Sequence, residues 1–233
     1  MGYKIKFQEV KLNEDTAILA KNYDAVCIFV NDDVGKETIK ALKELGVGTI
    51  LLRCAGFNNV DLKAAKEADI KVLRVPSYSP EAVAEYAMGL LLTVNRNIHR
   101  AYVRTRDFNY NINGLMGIDL VGKTAGVIGT GKIGQMMIDI LKGFKMHILA
   151  YDPYPVKGLD AEYVDLDRLF RESDVISLHC PLTQDTRHII NKKNIEKMKN
   201  GVLLVNTSRG GLINTGDLIE ALMARKFAGV GLD

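Results

Sequence analysis

The feature that most constrains this fold is a glycine-rich segment, Gly129-Thr130-Gly131-Lys132-Ile133-Gly134. It begins directly after an apolar run at residues 124–128, and Asp152 directly follows the next apolar run at residues 146–151. A strand, a glycine turn, a helix, a second strand and then an acid is the order found in dinucleotide-binding βαβ units. The segment therefore predicts a parallel sheet with a nucleotide at one edge.

Each position of the turn has a predicted role. Gly129 would make the tight turn, Gly131 would let the backbone approach a pyrophosphate, and Gly134 would allow close packing of helix on strand. The pyrophosphate would lie at the N-terminus of a helix that begins near Lys132 and Ile133. There, unpaired N–H groups and the helix dipole favour an anion.

Asp152 indicates which dinucleotide is bound. Its carboxylate would accept hydrogen bonds from the adenosine ribose hydroxyls and would repel a 2′-phosphate. The sequence therefore predicts NAD as the cofactor, with Asp152 and the adjacent Pro153 at its adenosine end.

Composition excludes several classes of function. The chain has 233 residues, of which 47% are apolar and 25% charged, and its net charge is +3. That charge is too small to predict a nucleic-acid or anionic membrane partner. No apolar run is long enough to span a bilayer, and the N-terminus does not resemble a signal peptide.

The cysteines and histidines give two further expectations. The three cysteines have no spacing pattern, which favours reduced thiols and a cytoplasmic protein. No group of cysteines and histidines has the spacing of metal ligands, so we expect no metal site.

Short β-rich runs alternate with helical patterns in two series, which predicts an α/β fold of two doubly wound parallel-sheet domains. In the first series the predicted strands are residues 3–10, 25–30, 49–52 and 71–75, and the predicted helices are 15–21, 36–45 and 61–68. In the second the predicted strands are residues 124–128, 146–151, 175–179, 202–206 and 228–231, with helices between them that include 132–143 and 217–226.

A helix between the two series begins clearly, with Ser79 as its N-cap and Pro80 at its first position. Its apolar pattern continues to about His99. The apolar face at residues 83–94 could pack inside the chain or against another subunit, and the sequence leaves both open.

One segment is suited to binding a carboxylate. Residues 202–206 form an apolar strand that leads into Thr207-Ser208-Arg209-Gly210-Gly211. A guanidinium grips a carboxylate through two parallel hydrogen bonds. We therefore interpret Arg209 as a substrate-binding residue at the carboxyl end of a strand.

The chain resembles the NAD-dependent D-isomer specific 2-hydroxyacid dehydrogenases, and within them the fermentative D-lactate dehydrogenase branch. The matching segments lie throughout the chain: residues 53–61, 75–80, 122–134, 177–183 and 206–210. The resemblance implies a flavodoxin-like substrate domain, incomplete here, at residues 1–77 and a Rossmann NAD-binding domain at residues 78–233. It also implies a homodimer.

The resemblance assigns roles to the substrate side. Arg209 would be the catalytic arginine, which holds the substrate carboxylate and helps to polarise the carbonyl. The backbone at Ala55 and Gly56 would also hold the carboxylate, and Tyr78 would reach the substrate.

On the cofactor side the resemblance implies that His179, Cys180 and Pro181 line the adenosine and ribose. Thr207 and Asp233 would flank the nicotinamide ribose and carboxamide, with Ser208 also binding the cofactor.

Two departures from the family pattern limit these expectations. The family's proton-donating histidine and the acid that orients it come after the segment matching Asp233, and the chain looks shortened at both ends. His179 and His188 are poor substitutes, because a general acid must come within hydrogen-bond reach of the carbonyl oxygen. We therefore expect the chain as written to be nearly inactive.

The function predicted is hydride transfer between NADH and a small 2-keto acid, with pyruvate and D-lactate as the favoured pair. Two alternatives remain open at this stage. One is a non-catalytic NAD-binding module, and the other is a related dehydrogenase acting on glycerate, glyoxylate or a bulkier acid.

Overall fold

The computed structural model describes residues 2, 4–76 and 78–233, which form two compact units, Met1–Tyr78 and Ser79–Asp233. In the part of the chain that is described, no helix has both the length and the apolar character needed to cross a membrane. The described residues also contain no group of three potential metal ligands.

The first unit is built on three parallel strands in sequential order, β1, β2 and β3. Its elements are β1 (Ala25–Ile28), α1 (Lys36–Glu44), β2 (Thr49–Leu52), α2 (Leu62–Glu67) and β3 (Lys71–Arg74). Ile39 and Leu42 of α1 pack with Ile28 and Ile50 in its core, where each is at most 2% exposed. The strands predicted at residues 25–30, 49–52 and 71–75 are therefore confirmed to within two residues at each end.

The start of the first unit differs from the prediction. Residues 4–10 form no strand, while Tyr3 lies outside the described residues. The apolar alternation there misled the prediction, because a strand also needs a hydrogen-bonded neighbour. No described strand pairs with this segment, and Phe7 is 90% exposed. The helix predicted at residues 15–21 is only a 3₁₀ turn, Ala17–Ala20.

The second unit contains a six-stranded, wholly parallel sheet in the order β6-β5-β4-β7-β8-β9. Its strands are β4 (Thr124–Ile128), β5 (His147–Tyr151), β6 (Glu162–Tyr163), β7 (Val175–Leu178), β8 (Val202–Asn206) and β9 (Phe227–Leu232). Its helices are α3 (Pro80–Asn95), α4 (Ile98–Arg106), α5 (Lys132–Gly143), α6 (Leu166–Glu172), α7 (Lys192–Lys197) and α8 (Thr215–Met223). Counted from β4, the strand order is 3-2-1-4-5-6, which is that of the Rossmann fold.

Helix α3 packs inside the second unit. Ala84, Ala87 and Leu91 are fully buried in one core cluster with residues of α5 and β8. Because β9 has a glycine at position 229, the strand can approach α3 so closely that a Cβ there would lie 2.9 Å from Val94 Cβ. These residues therefore pack inside the chain, whereas Tyr86 in the same stretch is 51% exposed.

The helix also ends earlier than predicted. It stops at Asn95, and a separate helix, α4, begins at Ile98 after Asn97, which has a φ of 51°. Ser79 precedes Pro80 as predicted, but its side chain makes no capping hydrogen bond to a described residue.

Candidate functional site

The predicted cofactor residues gather at one edge of the six-stranded sheet. The strand order reverses between β4 and β7, and ligands of open parallel sheets bind beyond the carboxyl ends of the strands at such a point. Five of the segments that leave the strands at this edge carry predicted cofactor residues, and they follow β4, β5, β7, β8 and β9. They begin at Gly129, Asp152, His179, Thr207 and Asp233.

The glycine turn is shaped by two close contacts. Gly129 has a φ of 96°, and a Cβ on it would lie 2.6 Å from the Cys180 backbone nitrogen. A Cβ on Gly134 would lie 2.0 Å from the Gly129 carbonyl oxygen. These two glycines therefore allow the turn, α5 and the segment after β7 to pack together, and neither position has space for a side chain.

Gly131 differs from its neighbours because a Cβ on it would meet no described atom within 4 Å. It is the N-cap of α5, and no described side chain caps this end of the helix. Lys132 is exposed and Ile133 is half-buried in the first turn. The space beside the N-terminus of α5 is therefore open, as a pyrophosphate site requires.

Asp152 is tied to the glycine turn. Its Oδ2 accepts hydrogen bonds from the Thr130 backbone N–H at 2.7 Å and from the Thr130 hydroxyl at 3.2 Å. Its Oδ1 accepts from the Tyr154 backbone N–H at 2.9 Å. A carboxylate offers roughly four lone-pair directions, so these bonds leave about one for a ligand hydroxyl, on Oδ1. Pro153, next to it, is exposed.

Two buried polar atoms lie unsatisfied at this edge. They are His179 Nδ1 and Thr207 Oγ1, and neither has a hydrogen-bond partner among the described residues. Leu178 of β7 pairs with Asn206 of β8, so the two residues follow neighbouring strands at the same level. Buried polar groups almost always have partners. A bound ligand with polar groups would supply them here.

Burial sets the protonation of two residues after β7. It lowers the pKa of His179 to about 4, and the ring shares a hydrogen bond of 2.8 Å through Nε2 with the Ser177 hydroxyl. His179 is therefore neutral near pH 7. Burial likewise raises the pKa of the Cys180 thiol to about 11, so it remains protonated. Pro181 is exposed beside them.

The loop that carries Arg209 is organised by Asn206, a residue that the sequence reasoning missed. The buried carboxamide of Asn206 donates to the Arg209 carbonyl at 2.9 Å and accepts from the Ser208 N–H at 3.0 Å. The Ser208 hydroxyl donates to the Leu178 carbonyl at 3.0 Å, which joins the loop to β7. The Asp233 N–H donates to the Asn206 carbonyl at 3.1 Å. Asn206 thus fixes the backbone from which the exposed Arg209 side chain extends.

In the first unit, the backbone carbonyls of the turn at Ala55 and Gly56 accept hydrogen bonds. The Cys54 carbonyl accepts from the Val75 N–H, the Ala55 carbonyl from the Arg74 guanidinium at 2.7 Å, and the Gly56 carbonyl from the Cys54 thiol.

In a trans peptide the N–H points away from its carbonyl. The N–H groups of Ala55, Gly56 and Phe57 therefore point away from these partners, and none donates to a described residue. Consecutive free N–H groups of this kind can bind an anion.

Tyr78 ends the first unit with its side chain 58% exposed. His188, the other histidine weighed as a proton donor, lies in a turn with a φ of 53°, where its N–H donates to the Gly211 carbonyl.

Comparisons with known proteins identify the family. Residues 88–233 match the D-isomer specific 2-hydroxyacid dehydrogenase, NAD binding domain. Escherichia coli D-lactate dehydrogenase is 57% identical, and the match covers 100% of this chain and 71% of that protein. The chain belongs to the D-isomer specific 2-hydroxyacid dehydrogenase family.

Solved structures agree with this assignment. The apo-structure of the Escherichia coli enzyme matches with a TM-score of 0.91 over 98% of this chain and 73% of that one, at 57% identity. D-lactate dehydrogenase from Aquifex aeolicus, complexed with NAD and lactic acid, matches with a TM-score of 0.85 at 36% identity, over 96% of this chain and 67% of that one.

Membership settles several predictions. The protein is an oxidoreductase of an NAD-dependent 2-hydroxyacid dehydrogenase family, and its cofactor is NAD, as Asp152 indicated. The residues present fit that cofactor, because Gly131 leaves open space at the α5 N-terminus and His179 and Thr207 offer buried unpaired atoms. The predicted α/β class and the Rossmann domain are confirmed.

Proposed function

We propose that this dehydrogenase interconverts pyruvate and D-lactate. The observation that carries the proposal is the position of Arg209 beyond β8, on a loop fixed by Asn206 at the same sheet edge as the glycine turn. The choice of substrate is supported by the 57% identity with Escherichia coli D-lactate dehydrogenase over the whole of this chain.

In this proposal Arg209 binds the substrate carboxylate through its planar guanidinium and draws electron density from the adjacent carbonyl. NADH supplies the hydride when it is bound. The free N–H groups of Ala55 and Gly56 in the first unit also hold the carboxylate, and Tyr78 contacts the substrate. We propose that residues 1–77 form the substrate-binding domain and residues 78–233 the NAD-binding domain.

The cofactor residues have separate roles in the proposal. The N–H groups of the turn at Gly129, Gly131 and Gly134, with Lys132 and Ile133, bind the pyrophosphate. Asp152 and Pro153 bind at the adenosine ribose, with residues 179–181 lining the same end. Thr207, Ser208 and Asp233 bind near the nicotinamide, where the unpaired Thr207 hydroxyl gains a partner.

We further propose that the protein is a cytoplasmic homodimer. Its three cysteines are all free thiols, as in reducing compartments. Between residues 98 and 116 of the second unit, seven apolar side chains are 52% exposed or more, and exposed apolar side chains that form a patch are typical of interfaces. The seven are Ile98, Tyr102, Val103, Phe108, Tyr110, Ile112 and Met116.

The test separates carboxylate binding from cofactor binding. NADH affinity is titrated first, followed by oxamate, an unreactive pyruvate analogue, in the presence of NADH. We expect Arg209→Gln to weaken oxamate binding about tenfold to a hundredfold, the loss of a charge-assisted pair, and to leave NADH affinity unchanged. Arg209→Lys keeps the positive charge but cannot make two parallel hydrogen bonds, so it should recover only part of the lost oxamate affinity.

The reaction itself is tested with the protein, NADH and a panel of 2-keto acids that includes pyruvate, glyoxylate and a branched, bulkier acid. Because the family's proton-donating histidine and the acid that orients it come after the segment matching Asp233, we expect this chain to turn over slowly. Within that slow turnover, pyruvate should have the highest kcat/KM and chiral chromatography should show D-lactate alone. L-lactate as product, a preference for another acid, or unchanged oxamate binding by Arg209→Gln would contradict the proposal.

A further inference from the structure

A tyrosine outside the glycine motif is connected to the predicted ribose-binding acid. Tyr163 lies in the edge strand β6, where it pairs with Ala150 of β5. Its hydroxyl accepts from the Val156 N–H at 2.9 Å and donates to Thr130 Oγ1 at 2.9 Å. The Thr130 hydroxyl in turn donates to Asp152 Oδ2 at 3.2 Å. Hydrogen bonds therefore run in one direction from a backbone amide to a carboxylate.

Thr130, the central residue of this series of hydrogen bonds, is held in one conformation. Thr130 is fully buried, its N–H also donates to Asp152 Oδ2, and its carbonyl accepts from the Gln135 carboxamide at 2.9 Å. A hydroxyl has a single proton to donate. Because Tyr163 donates to Thr130, the Thr130 proton is directed to Asp152. Bonds in such a chain polarise one another, and the last one ends on a charge.

This series of hydrogen bonds also connects two segments that border the predicted adenosine site. Val156 belongs to the loop that follows Asp152, and Thr130 belongs to the glycine turn. Tyr163 bonds to both. It therefore holds the loop and the turn at a fixed separation while Asp152, between them, keeps one orientation.

We propose that Tyr163 is a positioning residue that acts through Thr130 on Asp152 and so sets the preference for NADH over NADPH. The inference rests on the proposed role of Asp152 at the adenosine ribose. A carboxylate held in one orientation accepts a ribose hydroxyl with the lone pair left on Oδ1, and it repels a 2′-phosphate at the same position. Without Tyr163 the Thr130 hydroxyl is no longer directed at Asp152. The carboxylate keeps its bonds from the Thr130 and Tyr154 N–H groups but is held less firmly, and then does both less well.

The test is Tyr163→Phe, which removes one oxygen and keeps the ring. Dissociation constants of NADH, NADPH and reduced nicotinamide mononucleotide are measured by calorimetry on the whole chain. We expect the NADH constant to rise about threefold to tenfold, the worth of one hydrogen bond, and the NADPH constant to change less. The mononucleotide lacks the adenosine, so its affinity should not change.

Three variants control for a purely structural role. Thr130→Val removes the linking hydroxyl at nearly constant volume and should reproduce the effect, and it also serves if Tyr163→Phe does not fold. Thr130→Ser keeps the hydroxyl and should preserve the NADH preference. Tyr23→Phe removes a phenol hydroxyl from the first unit and should change no affinity.

Asp152→Ala separates the two proposals. If it alters neither NADH affinity nor the preference over NADPH, the proposed role of Asp152 fails. If it alters them, Tyr163→Phe should have no added effect in the Asp152→Ala background. An added effect there, an equal loss of mononucleotide affinity, or wild-type constants in Tyr163→Phe would overturn the role of Tyr163.

Discussion

Arg74 contacts the turn that we propose as part of the substrate site. Its guanidinium donates to the Ala55 carbonyl at 2.7 Å and lies 5.2 Å from the centre of the Phe57 ring. Both contacts hold the turn whose N–H groups we assign to the carboxylate. Arg74 is at the end of β3, so the strand fixes its origin.

We predict that Arg74→Gln weakens oxamate binding in the presence of NADH about threefold to tenfold, because the turn loses a charge-assisted bond and a stacking partner. Calorimetric titration measures it. The matched control is Arg53→Gln, since Arg53 stacks on Phe29 in the same unit at 4.5 Å. Equal losses in the two variants would show that Arg74 has no special role.

His179 makes the stability of the second unit depend on pH. Burial holds its pKa at about 4, below the 6.5 of an exposed histidine. Between these two pH values the unfolded chain binds a proton at this residue and the folded chain does not. The stabilisation is complete above pH 6.5 and is lost as the pH falls towards 4. The difference amounts to about 3 kcal/mol.

We predict that replacing His179 with glutamine flattens this dependence. Urea unfolding at a series of pH values between 7.5 and 4.5 should show a slope smaller by up to about 1.4 kcal/mol per pH unit than in the wild type. His147→Gln is the control, since His147 is exposed at the start of β5. The same slope in His179→Gln and the wild type would disprove the assignment.

At the scale of elements, the strand–turn–helix unit from β4 to α5 contains one glycine that the packing requires and another that leaves space for a ligand. A Cβ at position 134 would collide with the Gly129 carbonyl, whereas at position 131 it would enter open space. We predict that Gly134→Ala lowers the free energy of unfolding by about 1–3 kcal/mol.

Gly131→Ala, by contrast, should leave stability nearly unchanged and weaken NADH binding tenfold or more, because the added methyl fills the space for the pyrophosphate. Thermal melts and NADH titrations on the same samples measure both quantities. Gly143→Ala, at the other end of α5, adds a methyl in open space and should leave NADH affinity unchanged. Wild-type NADH affinity in Gly131→Ala would show that the phosphate lies elsewhere.

The elements that the sequence predicted best are the strands of the second sheet. β4, β7 and β8 read as continuous apolar runs because helices cover both sheet faces, and such runs can be recognised locally. β6 was missed because it has only two residues and depends on its pairing with β5. The separate helix α4 was missed because the helical sequence pattern continues past Asn97. Only the backbone conformation of Asn97 divides α4 from α3.

At the scale of the whole molecule, the exposed apolar set of the second unit carries the dimer prediction. We expect sedimentation equilibrium to show a dimer, and the double variant Phe108→Ser, Met116→Ser to dissociate it, since these side chains are 82% and 91% exposed. Phe7→Ser, at a site 90% exposed in the first unit, is the control. A wild-type monomer, or a dimer that survives the double variant, would contradict the prediction.

The sequence by itself determined the α/β class, the NAD cofactor and the residues that follow each strand, because the glycine spacing and Asp152 act locally within one βαβ unit. Only the tertiary structure decided which groups hold those residues in place. Tyr163, Asn206 and Arg74 lie outside the glycine motif. Tyr163 and Arg74 act through hydrogen bonds to residues that are distant in sequence, and Asn206 acts within its own turn. Such bonds depend on strand order and side-chain direction, which leave no periodic signal in a sequence.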